Sequence, residues 1–137
     1  MIRVALVMHP IDVSALIAEV ADVSTGATAV FVGTVRDVND DKAVSGIDYS
    51  AYTVMAEREM LRIAQEAARQ FAPLRVVVEH RVGALELGDV SVTIATAHAH
   101  RAPAIDGMRF VIEEIKRRVP IWKQERYLDG TREWVGV

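Results

Sequence analysis

Residues 74–100 read "LRVVVEHRVGALELGDVSVTIATAHAH" and contain two β-branched apolar runs that meet at a glycine. The first run covers residues 74–85, the second covers residues 89–100, and Gly88 and Asp89 join them. In the second run, valine and isoleucine alternate with serine, threonine and alanine, which is the two-residue period of a strand with two different faces. The sequence therefore predicts two neighbouring antiparallel strands in this region.

One long helical pattern precedes these strands in the sequence, and another follows them. The pattern from Thr53 to Phe71 predicts a helix with one apolar stripe, formed by Met60, Ala64, Ala67 and Phe71. The pattern from about Ala102 to Val119 predicts a second helix, which Pro120 ends because proline lacks a backbone N–H. The apolar side of this second helix is predicted to consist of Ile105, Met108, Ile112, Ile115 and Val119. A shorter helix is expected after Asp12, whose side chain suits an N-cap.

The remaining segments read as strands and turns. Extended structure is predicted for residues 2–8, 26–36 and 47–52. Residues 37–46, "DVNDDKAVSG", are polar and turn-rich and are predicted to form an exposed, mobile loop. The tail from Ile121 to Val135 is predicted to be a hairpin that turns at Asp129-Gly130.

These elements mix without the strict strand-helix alternation of a parallel sheet. At 137 residues the chain has the length of one ordinary domain. We therefore expect a single domain over residues 1–137, of the α+β class, with a mainly antiparallel sheet, three main helices and a C-terminal hairpin.

The composition limits the classes of chemistry that the chain can perform. No apolar run approaches the roughly 20 residues needed to cross a bilayer, and the first residues do not resemble a signal peptide, so a cytoplasmic location is expected. The chain contains no cysteine, which excludes thiolate chemistry and thiolate-bound zinc unless a partner brings the sulfur. A net charge of -3 and 6% aromatic residues argue against binding nucleic acid, which usually needs a broad basic face.

The segment "EEIKRRVPIWKQE", residues 113–125, places two lysines on either side of a helix end. Lys116 falls in the last helical turn, where a cation also complements the exposed helix carbonyls without any further role. Lys123 follows in an extended segment beside the apolar Ile121 and Trp122, both expected to pack inward. A lysine held against an apolar surface has a lowered pKa and can act as a base or a nucleophile.

The segment "HAHR", residues 98–101, leaves three interpretations open. His98 and His100 can ligate a metal, although the sequence supplies no evident third ligand. Alternatively, one histidine is a core residue with a satisfied hydrogen bond and the other caps the following helix. In the third interpretation, His100 and Arg101 bind an anion at the helix N-terminus, and Arg36, a cation at a strand end, joins them.

Several blocks of sequence, in a fixed order, resemble one protein family. These blocks are "FVGTVRDVN", "AYTVMAEREM", "HRVGALELGDVSV", the pair His100-Arg101 and "IKRRVPIWKQE" followed by "DG" and "WV". Together they closely resemble the large, catalytic subunit of molybdopterin synthase, over roughly Val30 to Val135. The main departures lie at Asn39-Asp40-Asp41, which lacks the glycine often found after that asparagine, at Ser50, and in "AIDGM".

This resemblance implies a fold of the α/β hammerhead type and a sulfur transfer reaction. The family's substrate is cyclic pyranopterin monophosphate, which receives two sulfurs to become the dithiolene of molybdopterin. A small ubiquitin-like subunit carries each sulfur as a thiocarboxylate on its C-terminal glycine, so no cysteine is needed. The resemblance further implies a homodimer within a heterotetramer, with no metal and no cofactor.

The resemblance also implies roles for individual residues. Lys116 and Lys123 match the family's catalytic lysines, and Arg36, His100 and Arg101 match the residues that hold the substrate. The alternative is a diverged paralogue that binds the ubiquitin-like partner without turnover, since the departures affect a loop.

Overall fold

The computed structural model describes residues 1–136 as nine strands and three helices. The elements, in chain order, are β1 (Ile2–Val7), α1 (Val13–Val20), β2 (Ala27–Thr34), β3 (Val38–Asn39), β4 (Lys42–Ala51), α2 (Thr53–Gln70), β5 (Arg75–Arg81), β6 (Gly83–Glu86), β7 (Val90–His98), α3 (Arg101–Arg118), β8 (Ile121–Tyr127) and β9 (Arg132–Gly136). The predicted α+β class, the three helices and the C-terminal hairpin are confirmed.

The first sheet has the strand order β1-β5-β7-β2. Strands β5 and β7 are antiparallel neighbours, as predicted, and Arg75 pairs with Ala97 in their register. Only the β1–β5 pair of this sheet is parallel. Side chains alternate between the two faces of a strand, so Val76 and Val78 pack under α2 and α3, whereas Val77 packs under α1.

The second sheet has the order β3-β4-β8-β9, and β6 pairs with β4. The prediction of one strand from Leu74 to Leu85 is therefore wrong, because β5 and β6 belong to different sheets. The chain turns from one sheet to the other at Gly83, whose φ of 98° suits a residue without a side chain.

Residues 37–46 form a hairpin instead of the predicted mobile loop. Strands β3 and β4 pair from Asn39↔Lys42 onward, and the two-residue turn between them consists of Asp40 and Asp41. Their φ values are 50° and 61°, which is the left-handed pair of a type I′ turn. Aspartate tolerates this conformation better than most side chains, so the polar segment is compatible with a regular turn.

Most of the predicted apolar side of α3 packs against the core, since Ile115 and Val119 are buried and Met108 and Ile112 are partly buried against it. The residues of α3 that are buried are Ala104, Gly107, Val111 and Ile115. Ile105 is 51% exposed, although it was predicted to pack inward. A prediction based on large apolar side chains does not identify Ala104 and Gly107, because both residues are small. At Gly107 the helix approaches the Leu74 side chain closely.

The predicted C-terminal hairpin is present, and β8 pairs with β9 from Trp122 to Arg126. Gly130 lies in the turn with a φ of 87°. Within residues 1–136, no helix combines the length and the apolar character needed to span a bilayer.

Candidate active site

Lys116, Lys123 and Arg36 line one cavity of about 110 Å³. It lies where the two sheets meet beside the C-terminal end of α3. Its other lining residues come from β2, β3, β4, β7 and β8 and are Phe31, Gly33, Thr34, Asn39, Val44, Ile47, Tyr49, Ser91, Val92 and Glu125. Three cations from separate segments therefore converge on one recess.

The break between α3 and β8 sets the direction of both lysines. The chain leaves the helix at Val119 and Pro120, and β8 begins at Ile121. In β8 the alternation of an extended chain puts Ile121 and Lys123 on the inner face, and Ile121 is buried. Trp122 faces outward and is 38% exposed, so the prediction that it packs inward is wrong.

The side chain of Lys116 is exposed at the cavity, and its amine has no counter-ion among residues 1–136. Desolvation in the cavity lowers the pKa of Lys116 below its usual 10.5, and the positive charge of Lys123 lowers it further. Among residues 1–136, no carboxylate lies within ion-pair distance of the Lys116 amine. The neutral form of this amine is therefore more accessible than that of a solvated lysine.

Lys123 has a counter-ion on the same strand. Its Nζ atom lies 3.2 Å from Oε1 of Glu125, whose side chain is 2% exposed. The other carboxylate oxygen accepts hydrogen bonds from the Tyr127 hydroxyl at 2.8 Å and from Asn39 Nδ2 at 2.6 Å. Burial acts to raise the pKa of Glu125, but these hydrogen bonds and the Lys123 charge outweigh it and hold that pKa below the usual value.

Sequence reasoning missed Glu125 and Asn39. Glu125 is two residues from Lys123 in a strand, so alternation alone predicts that both lie on the same face. Asn39 carried no such signal, because it fell within the segment that was predicted to be a loop. Its contact with Glu125 spans 86 positions of the chain and depends on the pairing of β4 with β8.

Arg36 follows β2, lines the same cavity and contacts the Asn39 amide that binds Glu125. Its Nη2 atom lies 3.5 Å from Oδ1 of Asn39, and the residue is exposed. A guanidinium at the rim of a cavity with two lysines forms a strong site for an anion such as a phosphate.

His100 and Arg101 do not line this cavity. They lie at the N-terminal end of α3, around a separate recess with Gly26, Ala27, Ala99 and Ala102. Arg101 and Lys116 belong to the same helix, 15 positions apart. That separation corresponds to about 22 Å along an α-helix, so within one chain the two groups serve different surfaces.

The histidine pair has a structural use in this chain. His98 is buried, and its Nδ1 atom accepts a hydrogen bond from the backbone N–H of His100 at 3.0 Å. His100 is the N-cap residue of α3, but its side chain makes no capping hydrogen bond. Within the described residues, no cluster of three His, Cys, Asp or Glu side chains is arranged to hold a metal.

A second buried histidine lies behind the cavity wall. His80 makes an edge contact with the ring of Tyr49, with 5.1 Å between the ring centroids. Burial lowers the pKa of His80 to about 4, and the nearby charge of Lys116 contributes to the shift. His80 is therefore a neutral core residue at physiological pH.

The fold and the cavity together define an α+β protein with a cationic, cysteine-free site. The family model for MoaE proteins matches residues 6–118 of the chain. The molybdopterin synthase catalytic subunit of Halalkalibacterium halodurans is 40% identical over 134 residues, which cover 98% of this chain and 85% of that protein. The crystal structure of molybdopterin synthase from Staphylococcus aureus is similar at a TM-score of 0.92 and 32% identity, covering 97% of this chain and 96% of that one.

A more distant structure shares the fold. It is a complex of subunits 1 and 2 of the molybdopterin-converting factor from Helicobacter pylori, with a TM-score of 0.79 and 21% identity over 96% of this chain and 89% of that one. The chain belongs to the MoaE family, the family of molybdopterin synthase catalytic subunits. The resemblance seen in the sequence is thereby confirmed, together with the assignment to a sulfurtransferase subunit.

Proposed function

We propose that this chain transfers sulfur from the C-terminal thiocarboxylate of a small ubiquitin-like carrier to cyclic pyranopterin monophosphate, forming the dithiolene of molybdopterin. The observation that carries the proposal is the convergence of Lys116, Lys123 and Arg36 on one cavity in a chain without cysteine. The pterin phosphate and the thiocarboxylate are both anions, so both need cations. Because the sulfur arrives on the carrier, the absent thiol is no obstacle.

The two lysines have different surroundings, which supports different roles. Lys123 lies against the buried carboxylate of Glu125 and is held in place by it, so we assign it to holding an anionic group. Lys116 has no such partner and a lowered pKa, so we assign it to accepting a proton from the reacting groups in its neutral form. Arg36 at the rim binds the phosphate.

The family's substrate-binding roles of His100 and Arg101 require a second copy of the chain. Strand β2 is an edge of the first sheet, and its Ala27 end adjoins His98 whereas its Thr34 end lines the cavity. An antiparallel, two-fold contact along β2 places the Ala27 end of each copy beside the Thr34 end of the other. In such a homodimer, His100 of the partner subunit and Arg101 of the partner subunit approach the cavity that contains Lys116.

The carrier subunit adds one chain to each end of this dimer and gives a heterotetramer. We propose that its C-terminal tail enters the cavity and that the cations there bind the terminal thiocarboxylate. The solved complex of two subunits from Helicobacter pylori, which shares the fold, supports a two-protein assembly. The cytoplasmic location expected from the sequence stays a prediction.

Reconstitution tests the proposed function. The purified chain is mixed with a thiocarboxylated carrier and cyclic pyranopterin monophosphate, and molybdopterin is measured after oxidation to a fluorescent derivative. We expect product only when all three components are present. Binding of the carrier without product at saturating pterin would favour the alternative of a non-catalytic paralogue.

A further inference from the structure

We propose that Asn39 is a positioning residue, which acts through Glu125 to hold Lys123 in the cavity. This inference rests on the proposed sulfur transfer and adds to it a residue of the β3–β4 hairpin. Asn39 touches neither lysine in this structure, so its effect passes through the carboxylate that it shares with Lys123.

The amide of Asn39 makes two contacts of opposite kind. Its Nδ2 atom donates to Glu125 Oε2 at 2.6 Å, and its Oδ1 atom accepts from Arg36 Nη2 at 3.5 Å. The amide provides a donor and an acceptor on two separate atoms, whereas an ionised carboxylate can only accept. An aspartate at this position would keep the contact with Arg36 but would place a second negative charge against Glu125.

The Glu125 carboxylate depends on this donor. It is almost fully buried and has three side-chain partners: Asn39 and Tyr127 on Oε2, and Lys123 on Oε1. A buried carboxylate without its hydrogen bonds is costly and reorients toward whichever donors remain. Loss of the Asn39 contact therefore loosens the carboxylate that orients the Lys123 amine.

Asn39 itself is fixed by the hairpin that carries it. The Asp40-Asp41 turn closes directly after it. On the other side of the turn, the Lys42 amine lies 4.4 Å from the centre of the Tyr127 ring and 3.8 Å from Asp129 Oδ2. These contacts anchor the hairpin against β8 without Asn39, so removal of the Asn39 side chain leaves the hairpin closed.

The first test is chemical labelling, and it does not depend on turnover. The chain has three lysines, Lys42, Lys116 and Lys123, and the acylation rate of each by an N-hydroxysuccinimide ester is measured by mass spectrometry. In the Asn39→Ala variant we expect Lys123 to be labelled at least threefold faster and Lys42 at an unchanged rate. Unchanged labelling of Lys123 would overturn the proposal, and faster labelling of both lysines would reduce Asn39 to a structural part of the hairpin.

The second test is a double-mutant cycle on the sulfur transfer rate, measured in single turnover so that slow variants remain visible. We expect Asn39→Ala to slow transfer about tenfold in the wild-type background and to have no further effect in the Lys123→Ala background. An equal loss in both backgrounds would contradict an action through Lys123. A wild-type chain without turnover would refute the proposed function, and the labelling test would still decide the role of Asn39.

Asp40→Gly is the matched control, since it changes the same hairpin without touching Asn39 or the cavity. Glycine accepts the left-handed conformation of this position, so the turn is preserved. We expect this variant to show wild-type labelling at all three lysines and a wild-type transfer rate. A Lys123 labelling change equal to that of Asn39→Ala would show that any disturbance of the hairpin has the same effect and would overturn the proposal.

Discussion

The amine of Lys123 lies 3.2 Å from the buried carboxylate of Glu125, whereas Lys116, in the same cavity, has no carboxylate partner among residues 1–136. The two amines repel each other, and this repulsion contributes to the lowered pKa of Lys116. Lys123 is thus a cation held by a carboxylate, whereas Lys116 is an amine that is able to exchange a proton.

The first prediction concerns the pH dependence of transfer. If neutral Lys116 is the proton acceptor, the rate rises with pH through the lowered pKa of Lys116, below the usual 10.5 of lysine. Lys123→Ala removes the repelling charge, so the pKa of Lys116 rises and the rising limb of the pH-rate profile should move to higher pH. The transfer rate itself should also fall. A pH-rate profile of both proteins checks this; a limb that stays in place or moves to lower pH would contradict the assigned roles.

The second prediction concerns Glu125. Because its pKa is lowered in the folded state, its charge stabilises the fold above the unfolded pKa, and this contribution is lost as the pH falls through the folded pKa. We expect Glu125→Gln to lower the unfolding free energy at pH 7 by roughly 1–3 kcal/mol, since the partners of a buried carboxylate lose their acceptor. Urea unfolding at pH 7 and pH 4 should show a smaller difference at pH 4, and a constant difference would rule out the ionised carboxylate as the cause.

The third prediction concerns His80. Its folded pKa of about 4 lies below its usual 6.5, so the unfolded chain takes up a proton first as the pH falls. Stability should therefore decrease from pH 6.5 to pH 4, by on the order of 3 kcal/mol from this residue. His80→Phe keeps a ring against Tyr49 and should flatten that part of the profile in urea unfolding; the same slope in both proteins would place the acid sensitivity elsewhere.

The fourth prediction tests the proposed dimer by complementation. Lys116→Ala lacks an amine in each cavity, and the double variant His100→Ala, Arg101→Ala lacks the two side chains that each copy gives to its neighbour. If the site is shared, a mixed dimer regains one intact site of its two, and random mixing of the two variants restores about a quarter of the wild-type activity. Mixing after mild dissociation, followed by the reconstituted assay, measures this, and no recovery would show that Lys116 does not share a site with His100 and Arg101 of the partner subunit.

Much of the site was visible in the sequence because it depends on local periodicity. The sequence predicts that Pro120 ends the helix of Lys116 and that Lys123 follows in an extended segment, and the structure shows that the two side chains line one cavity. The contacts made by Asn39 could not be predicted in this way, since they depend on the pairing of β4 with β8 and on a turn whose two aspartates look like a loop. The separation of His100 from Lys116 follows from the predicted helix, since the two residues lie at its opposite ends.

The division of the first apolar run, residues 74–85, between two sheets could not be predicted from the sequence pattern either. Val82 continues the β-branched character of β5, and only the positive φ of Gly83 shows where the chain changes sheet. Apolar, β-branched sequence predicts that residues 74–85 are extended, but it does not show which strand each half of this segment pairs with.

The central claim is that Lys116 and Lys123 perform sulfur transfer within one cavity. The most direct measurement is the single-turnover rate of molybdopterin formation with wild type, Lys116→Ala, Lys123→Ala and, as a control, Arg62→Ala, which removes an exposed cation on α2 outside the cavity. We predict losses of roughly 10²–10⁴-fold for Lys116→Ala, at least tenfold for Lys123→Ala and less than about twofold for Arg62→Ala. Wild-type rates in both lysine variants would contradict the claim.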